Sequence, residues 1–310
     1  MITTELLREL RNIASVDRVH EKEILAQHCS FKTGGPADLF IRVVTADELE
    51  RTLECLSEAG CETFLLGRGT NLLIGDGGFR GAVVTMCAPA GERSELCEVA
   101  ADGCVIRAGA GASLYKIAMA AKDAGLSGFE FAAGIPGSLG GAVIMNAGAY
   151  DGEMKQVIRS VEVLCPGTGV NCCSGEEAGF GYRTSRFKRE GGIVLGAEIE
   201  LTPGDKEGIA ARIAELAQRR RDKQPLEFAS AGSTFKRPEG YFAGKLIQDA
   251  GLKGFSVGDA QVSEKHAGFV INRGGASAAQ IRELIEEIQR IVFENSGVQL
   301  EREVIYLGDF

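Results

Sequence analysis

Residues 131–150 read FAAGIPGSLGGAVIMNAGAY, twenty positions without a charge. That is the length of a membrane span. Glycines at 134, 137, 140, 141 and 148, together with Pro136, Ser138 and Asn146, interrupt it too often for a continuous apolar helix. The stretch predicts a buried, glycine-rich loop with a turn of helix. Glycine at this density lets a backbone lie close against something, either a packed helix and sheet or a flat or phosphorylated ligand. A second cluster, Gly67-Arg68-Gly69-Thr70-Asn71, ends a short apolar strand. Taken alone it reads first as a strand-ending turn. The alternative is an anion nest, in which successive N–H groups converge and Thr70 and Asn71 add donors. Together the two clusters point to a large, bipartite, phosphate-bearing cofactor.

The composition is that of a soluble globular protein. Apolar residues are 45% and charged residues 25% of 310, enough for about two domains. The 42 glycines are about twice the usual share and have no collagen period. A net charge of −9 and a pI near 5.1 argue against a broad nucleic-acid surface. An anionic ligand must therefore be held by a local group of donors. Nine scattered cysteines show no C-x-x-C, and the three histidines (His20, His28, His266) have no helical ligand spacing. A disulfide framework and a zinc site both fit poorly, and no metal is expected. Charged residues among the first twenty leave no signal-peptide core. Reduced thiols in a cytoplasmic protein are the plain reading.

Working outward, residues 1–30 look helical and then irregular. Strands are expected at Ala37–Val44, Thr63–Leu66 and Gly81–Met86, with a helix from a Thr45/Glu48 capping box to Gly60. Asp102-Gly103 predicts a hairpin between Cys97–Ala101 and Cys104–Ala108. Ser113 caps a helix to Gly125, and Val157–Leu164 and Ile193–Leu201 read as strands. Asp205 caps a helix to about Asp222, whose end carries Arg219, Arg220 and Arg221, where cations suit the helix dipole. Gln224-Pro225 follows. A short helix precedes Gly251, a strand covers Gly268–Asn272, and a helix runs from the box Ser277-x-x-Gln280 to Gly297. A final strand is expected over Val298–Leu307. The division expected is 1–85, 86–203 and 204–310, with the last strand returning to the first part.

The common nucleotide and hydrolase motifs are absent: no P-loop, no G-x-G-x-x-G and no G-x-S-x-G. What remains is a set of six runs in order. They are Gly67–Asn71; Gly134-Ile135-Pro136-Gly137-Ser138-x-Gly140-Gly141; Asn146-Ala147-Gly148-Ala149; Gly181-Tyr182-Arg183-x-Ser185-x-Phe187-Lys188; Gly232-Ser233-x-Phe235-Lys236-x-Pro238; and Leu300-Glu301-x-Glu303-Val304. This series resembles the UDP-N-acetylenolpyruvoylglucosamine reductase family over roughly residues 30 to 308. The resemblance implies an α+β fold, with a two-part FAD-binding region of the vanillyl-alcohol-oxidase/PCMH type and a C-terminal α+β substrate domain. It implies noncovalent FAD, NADPH as reductant and a UDP-sugar substrate. Its reaction is reduction of an enolpyruvyl ether to UDP-N-acetylmuramate for peptidoglycan, in two successive half-reactions. The first three runs would hold the flavin.

The resemblance also implies roles. Hydride arrival at the enolpyruvyl CH2 carbon leaves an enolate-like anion, which needs nearby positive charge and one proton at the neighbouring carbon. Arg183 would supply the charge and Ser233 the proton. Glu303 would orient or polarise the enol carboxylate. Tyr182, Lys223, Lys236 and Arg237 would face the substrate, Lys223 on its diphosphate side. Without the resemblance, each of these reads as a solvated loop, turn or strand-edge residue. His266 reads as a surface residue. No tyrosine occurs between Tyr182 and Tyr241, which matches the shorter subtype without a tyrosine-bearing loop. Thr70 and Asn71 stand where relatives with covalent flavin place a histidine. A monomer is expected. The competing readings are an FAD oxidase of a small alcohol or sugar, and a noncatalytic flavin- or UDP-sugar-binding protein. The Arg183, Ser233 and Glu303 set favours the reductase, because a binding module needs no proton donor.

Overall fold

A computed structural model of the chain describes residues 2–89, 91–165 and 169–310. The first helix, α1 (Thr4–Ala14), is capped by the Thr3 hydroxyl, which accepts from the Leu6 N–H at 3.1 Å. Next come β1 (Val19–Ile24), β2 (Pro36–Arg42), α2 (Ala46–Glu58), β3 (Thr63–Leu66), β4 (Leu72–Ile74) and β5 (Phe79–Thr85). The sheet order is β1-β2-β5-β3. β1 corrects the expectation of irregular chain up to residue 30. It is an edge strand of sequence VHEKEI in which Val19 alone is buried, so it carries no apolar alternation to reveal it. The capping box at α2 is only half formed. Thr45 Oγ1 accepts from the Glu48 N–H at 3.1 Å, but Glu48 turns instead to the Val44 N–H at 2.9 Å and to Arg18 at 2.6 and 2.7 Å.

β6 (Val99–Asp102) and β7 (Val105–Gly109) form the expected hairpin with a shifted turn. Asp102 pairs with Val105, so the connection is Gly103-Cys104. Helices α3 (Leu114–Ala124) and α4 (Leu139–Met145) follow, then β8 (Ile158–Cys165), β9 (Gly169–Ser174), α5 (Arg186–Glu190) and β10 (Ile193–Glu200). Ser113 Oγ caps α3 by accepting from the Lys116 N–H at 3.2 Å, and Gly125 ends it. The antiparallel sheet β9-β8-β10-β7-β6 buries Ile106, Val161 and Ile199 with Leu114 and Ile117 of α3 and Leu139 and Val143 of α4. Each such side chain stabilises by roughly 1.5–3 kcal/mol. On the opposite face Arg107 pairs with Asp102 and Glu198, and Arg107 and Glu198 line an open groove of about 680 Å³.

The last third holds α6 (Lys206–Lys223), α7 (Ala243–Asp249), β11 (Ser256–Val257), β12 (Ala260–Val262), β13 (Val270–Asn272), α8 (Ala278–Ser296) and β14 (Ile305–Leu307). α8 has a complete capping box between Ser277 and Gln280. A second cap comes from far away, where the Asp76 carboxylate accepts from the Ala278 and Ala279 N–H groups at 2.8 and 3.0 Å. The helix buries Ile281, Leu284, Ile285, Ile288 and Val292.

The expected strand over Val298–Leu307 is corrected to β14, which pairs parallel with β4 through Ile305↔Leu72 and Leu307↔Ile74. The preceding residues have a different partner: Lys236 N–H donates to Glu301 O at 2.8 Å and Glu303 N–H to Thr234 O at 2.9 Å. A segment that changes partner at Val304 cannot build one continuous ladder.

The elements form two compact units. One comprises Met1–His20, Phe40–Arg68 and Val83–Arg220, the other Glu21–Leu39, Gly69–Ala82 and Arg221–Phe310. The units interleave along the sequence. All nine cysteines are unbridged. Among the described residues no helix is long and apolar enough to cross a membrane, and no side-chain group could hold a metal ion.

Candidate active site

In the first unit the glycine-rich stretch is laced to the loop before α3. Leu139 and Gly140 N–H groups donate to Ala112 and Ala110 carbonyls at 2.9 Å, and Leu114 N–H donates to Gly137 O at 3.2 Å. This lacing places Ser138, 3% exposed, at the start of α4. The first cluster meets it there. A Cβ on Gly67 would lie 2.8 Å from Ser138 Oγ, so the Ser138 hydroxyl sits close against the Gly67 backbone because position 67 has no side chain. Arg68 and Ser138 both act on Cys87, whose thiol pKa is raised by burial and drawn back by these two neighbours. The remainder of that cluster, Gly69 to Asn71, belongs to the second unit.

Arg183 is held on the same piece as α4. Gly181 and Thr184 exchange backbone hydrogen bonds at 3.0 and 3.3 Å, leaving Tyr182 and Arg183 as a two-residue turn. Arg183 adopts φ +54°, a left-handed conformation that costs a non-glycine residue about 1–2 kcal/mol. The turn is tied at both ends. Asn146 Nδ2 donates to Gly181 O at 3.0 Å, and buried Ser185 donates through Oγ to Ile144 O at 2.9 Å. Asn146 also binds Glu153 and the Lys155 N–H at 2.9 Å each, so its amide is committed to the protein. Gly148 pairs with Glu153 across the short ladder that carries Ala149. The Arg183 guanidinium lies 5.3 Å from the Tyr182 ring centre, and Tyr182 is exposed.

Arg220 is a residue that sequence reasoning assigned only to the helix dipole. It is half-buried, and its Cδ and Nη1 lie 3.6 Å from where a Gly134 Cβ would be. Burial lowers its pKa and a Tyr150 interaction opposes this. Its position four residues after buried Leu216 puts it on the inward face of α6, a signal that the run of three arginines concealed.

In the second unit four segments lie side by side. Asn71 Nδ2 donates to Glu303 O at 3.1 Å, Glu303 N–H donates to Thr234 O at 2.9 Å, and Thr234 N–H donates to Gly268 O at 2.9 Å. Ser233 and Glu303 are thus on adjacent backbone segments. Ser233 is exposed and Glu303 half-buried. Lys236 is ion-paired with Glu301. Arg237 stacks on Phe242 at 3.9 Å and donates to Tyr241 O at 3.3 Å. Lys223 is exposed at the end of α6. His266 is not the surface residue expected. Its pKa is lowered by burial and by the Lys253 and Lys223 ammonium groups, against an opposing backbone hydrogen bond. The groove over the five-stranded sheet contains none of the candidate residues.

Known proteins match this arrangement along nearly its whole length. Residues 37–172 match a family described as FAD binding domain, and residues 224–307 match the UDP-N-acetylenolpyruvoylglucosamine reductase C-terminal domain. The reductase of Lachnoclostridium phytofermentans is 48% identical over 305 residues, 98% of this chain and 97% of that protein. That of Caldanaerobacter subterraneus is 47% identical over 304 residues, 98% of each. The crystal structure of the Thermus caldophilus reductase superposes with a TM-score of 0.78 at 36% identity, covering 94% of this chain and 99% of that one.

Proposed function

The chain belongs to the UDP-N-acetylenolpyruvoylglucosamine reductase family, and on that premise we propose how its own residues divide the work. It is an FAD-containing oxidoreductase that reduces UDP-N-acetylglucosamine enolpyruvate to UDP-N-acetylmuramate with NADPH, a step of peptidoglycan precursor synthesis. Bound FAD would supply the hydride relay between NADPH and the enolpyruvyl carbon. The residues present fit that group: Gly67 faces Ser138 with no intervening side chain, and Arg220 lines Gly134 with a cation. Gly67, Arg68, Gly69, Thr70 and the segment Gly134–Gly141 would hold it, noncovalently. Asn146, Gly148 and Ala149 would act by shaping the loop, since the Asn146 amide is engaged within the protein.

The turn at Arg183 carries the assignment of roles. A strained non-glycine conformation persists where its surroundings over-determine it, and here both ends of the turn are tied to α4. The guanidinium would hold the substrate carboxylate as negative charge develops there. Ser233 would deliver the proton to the adjacent carbon, and Glu303, as a neutral donor, would steady the enolate. Tyr182, Lys223 and Arg237 would bind the UDP-sugar, with Lys236 joining after release from Glu301. The sequence parts 1–85 and 86–203 are proposed to serve the flavin and 204–310 the substrate. The protein is proposed to act as a cytoplasmic monomer.

Anaerobic stopped-flow absorbance tests the whole reading. NADPH should bleach the flavin, and the enolpyruvyl sugar should restore its colour. Bleaching of the flavin by simple alcohols and return of its colour with oxygen, with no reoxidation by the enolpyruvyl sugar, would overturn it. Free FAD should appear on acid precipitation; pigment staying in the pellet would contradict noncovalent binding.

A further inference from the structure

His266 is fixed by its own turn. Its N–H donates to the Oγ of buried Ser263 at 3.2 Å, its carbonyl accepts from the Phe269 N–H at 3.0 Å, and its ring meets the Phe269 ring edge-on at 4.9 Å. Nδ1 then accepts from the Gly268 N–H at 3.1 Å. An amide N–H can only donate, so the imidazole carries its own proton on Nε2. The ring has a seat built for it. A Cβ on Gly268 would come within 3.0 Å of Cε1 and 3.2 Å of Nδ1, and one on Gly244 within 3.5 Å of Cε1.

The other face of Gly268 leads to the proton donor. Its carbonyl accepts from the Thr234 N–H at 2.9 Å, and the fully buried Thr234 accepts through Oγ1 from the Val270 N–H at 3.0 Å. Thr234 directly follows Ser233, and its carbonyl takes the Glu303 N–H. We propose that His266 is a positioning residue for the substrate half-reaction: by fixing the Gly268 peptide, it sets the backbone segment that aims Ser233. Burial and two neighbouring lysines keep the ring neutral, which preserves Nδ1 as an acceptor. This inference rests on the reading of Ser233 as proton donor.

The test compares His266→Leu, which removes the acceptor, with His266→Asn, whose Oδ1 can take the place of Nδ1. Both are studied as FAD-loaded full-length protein by stopped-flow. Flavin reduction by NADPH should be unchanged in both variants. Reoxidation by the enolpyruvyl sugar should slow on the order of 10- to 100-fold in the Leu variant, without a matching change in substrate affinity, and largely recover in the Asn variant. Normal reoxidation in His266→Leu, equal loss in both half-reactions, or no recovery with Asn would overturn the proposal. Ser233→Ala run alongside separates the two claims. If it reoxidises normally, the Ser233 reading itself fails and takes this inference with it. If it is slow while His266→Leu is normal, the His266 inference alone falls. Should His266→Leu not fold, Gly268→Ala drives a methyl group into the same ring and should give the same selective loss.

Discussion

The side-chain amide of Asn71 donates to the backbone carbonyl of Glu303 at 3.1 Å, across 232 positions of sequence, and the Asn71 carbonyl accepts from the Ile305 N–H at 3.0 Å. One asparagine therefore grips the strand on both sides of Val304, where that strand changes partner. A residue of the candidate flavin loop fixes the backbone of a candidate substrate residue.

Asn71→Ala should accordingly do more than trim a loop. Loss of one part-buried hydrogen bond costs about 1 kcal/mol. The loosened Glu303 strand should also slow reoxidation by the enolpyruvyl sugar more than reduction by NADPH. Urea unfolding and stopped-flow absorbance read the two effects. Unchanged stability would mean that the clamp holds nothing.

Ser233→Ala should still be reduced by NADPH at the normal rate. In its proposed role the hydroxyl acts after hydride arrival, so reoxidation should fall ~10²-fold or more with substrate affinity little altered. Equal damage to both half-reactions would remove Ser233 from the proton-donor role.

Glu303 can be examined through its isostere. A second negative charge beside an enolate would raise the barrier that Arg183 is proposed to lower, which argues for a neutral donor. Glu303→Gln keeps shape and a donor, and should retain far more of the reoxidation rate than Glu303→Ala. Two equally slow variants with normal FAD and substrate binding would require an ionised Glu303 instead.

Acid should weaken the first unit through Glu48. Burial raises this carboxyl's pKa, but the bonds from Arg18 and the Val44 N–H outweigh it, and the folded-state pKa lies below 4.5. A depressed carboxylate stabilises above its unfolded pKa and loses that contribution as pH falls through the folded one. The side chains of the pair are 14% and 15% exposed, so losing one partner costs up to about 3 kcal/mol. Urea midpoints should drop below about pH 4.5, and Glu48→Gln should be weaker at pH 7 yet flatter with pH. A parallel pH slope in the variant would assign the acid sensitivity elsewhere.

Local chemistry made several elements legible from the sequence. Ser113 and Gly125 bound α3, Ser277, Gln280 and Gly297 bound α8, and the breakers around Pro136 announced a loop leading into a short helix. Each signal lies within a few residues of the structure it directs. β4 is three apolar residues whose partner lies more than 230 positions away, so nothing near Leu72 declares it. The partner change at Val304 was hidden for the same reason, since Val298–Leu307 reads as one uniform run. Arg183 and Ser233 stood out only through the motif series, because a turn arginine and a turn serine have no local mark of chemistry. Arg220 and His266 were missed because a cation in a run of cations and a lone histidine look solvated until packing shows otherwise.

The pairing of β14 with β4 also bears on how the protein is made. Residues 69–82 emerge from the ribosome early, and the strand that completes them, 305–307, is translated more than two hundred residues later. The nascent chain must carry an open β4 edge for most of its synthesis, a stretch exposed to proteases and to chaperones that bind extended apolar segments. Stalled ribosome complexes ending before residue 300 should be cut by protease near Leu72–Ile74, and those carrying a C-terminal linker long enough to bring residue 309 out of the exit tunnel should resist.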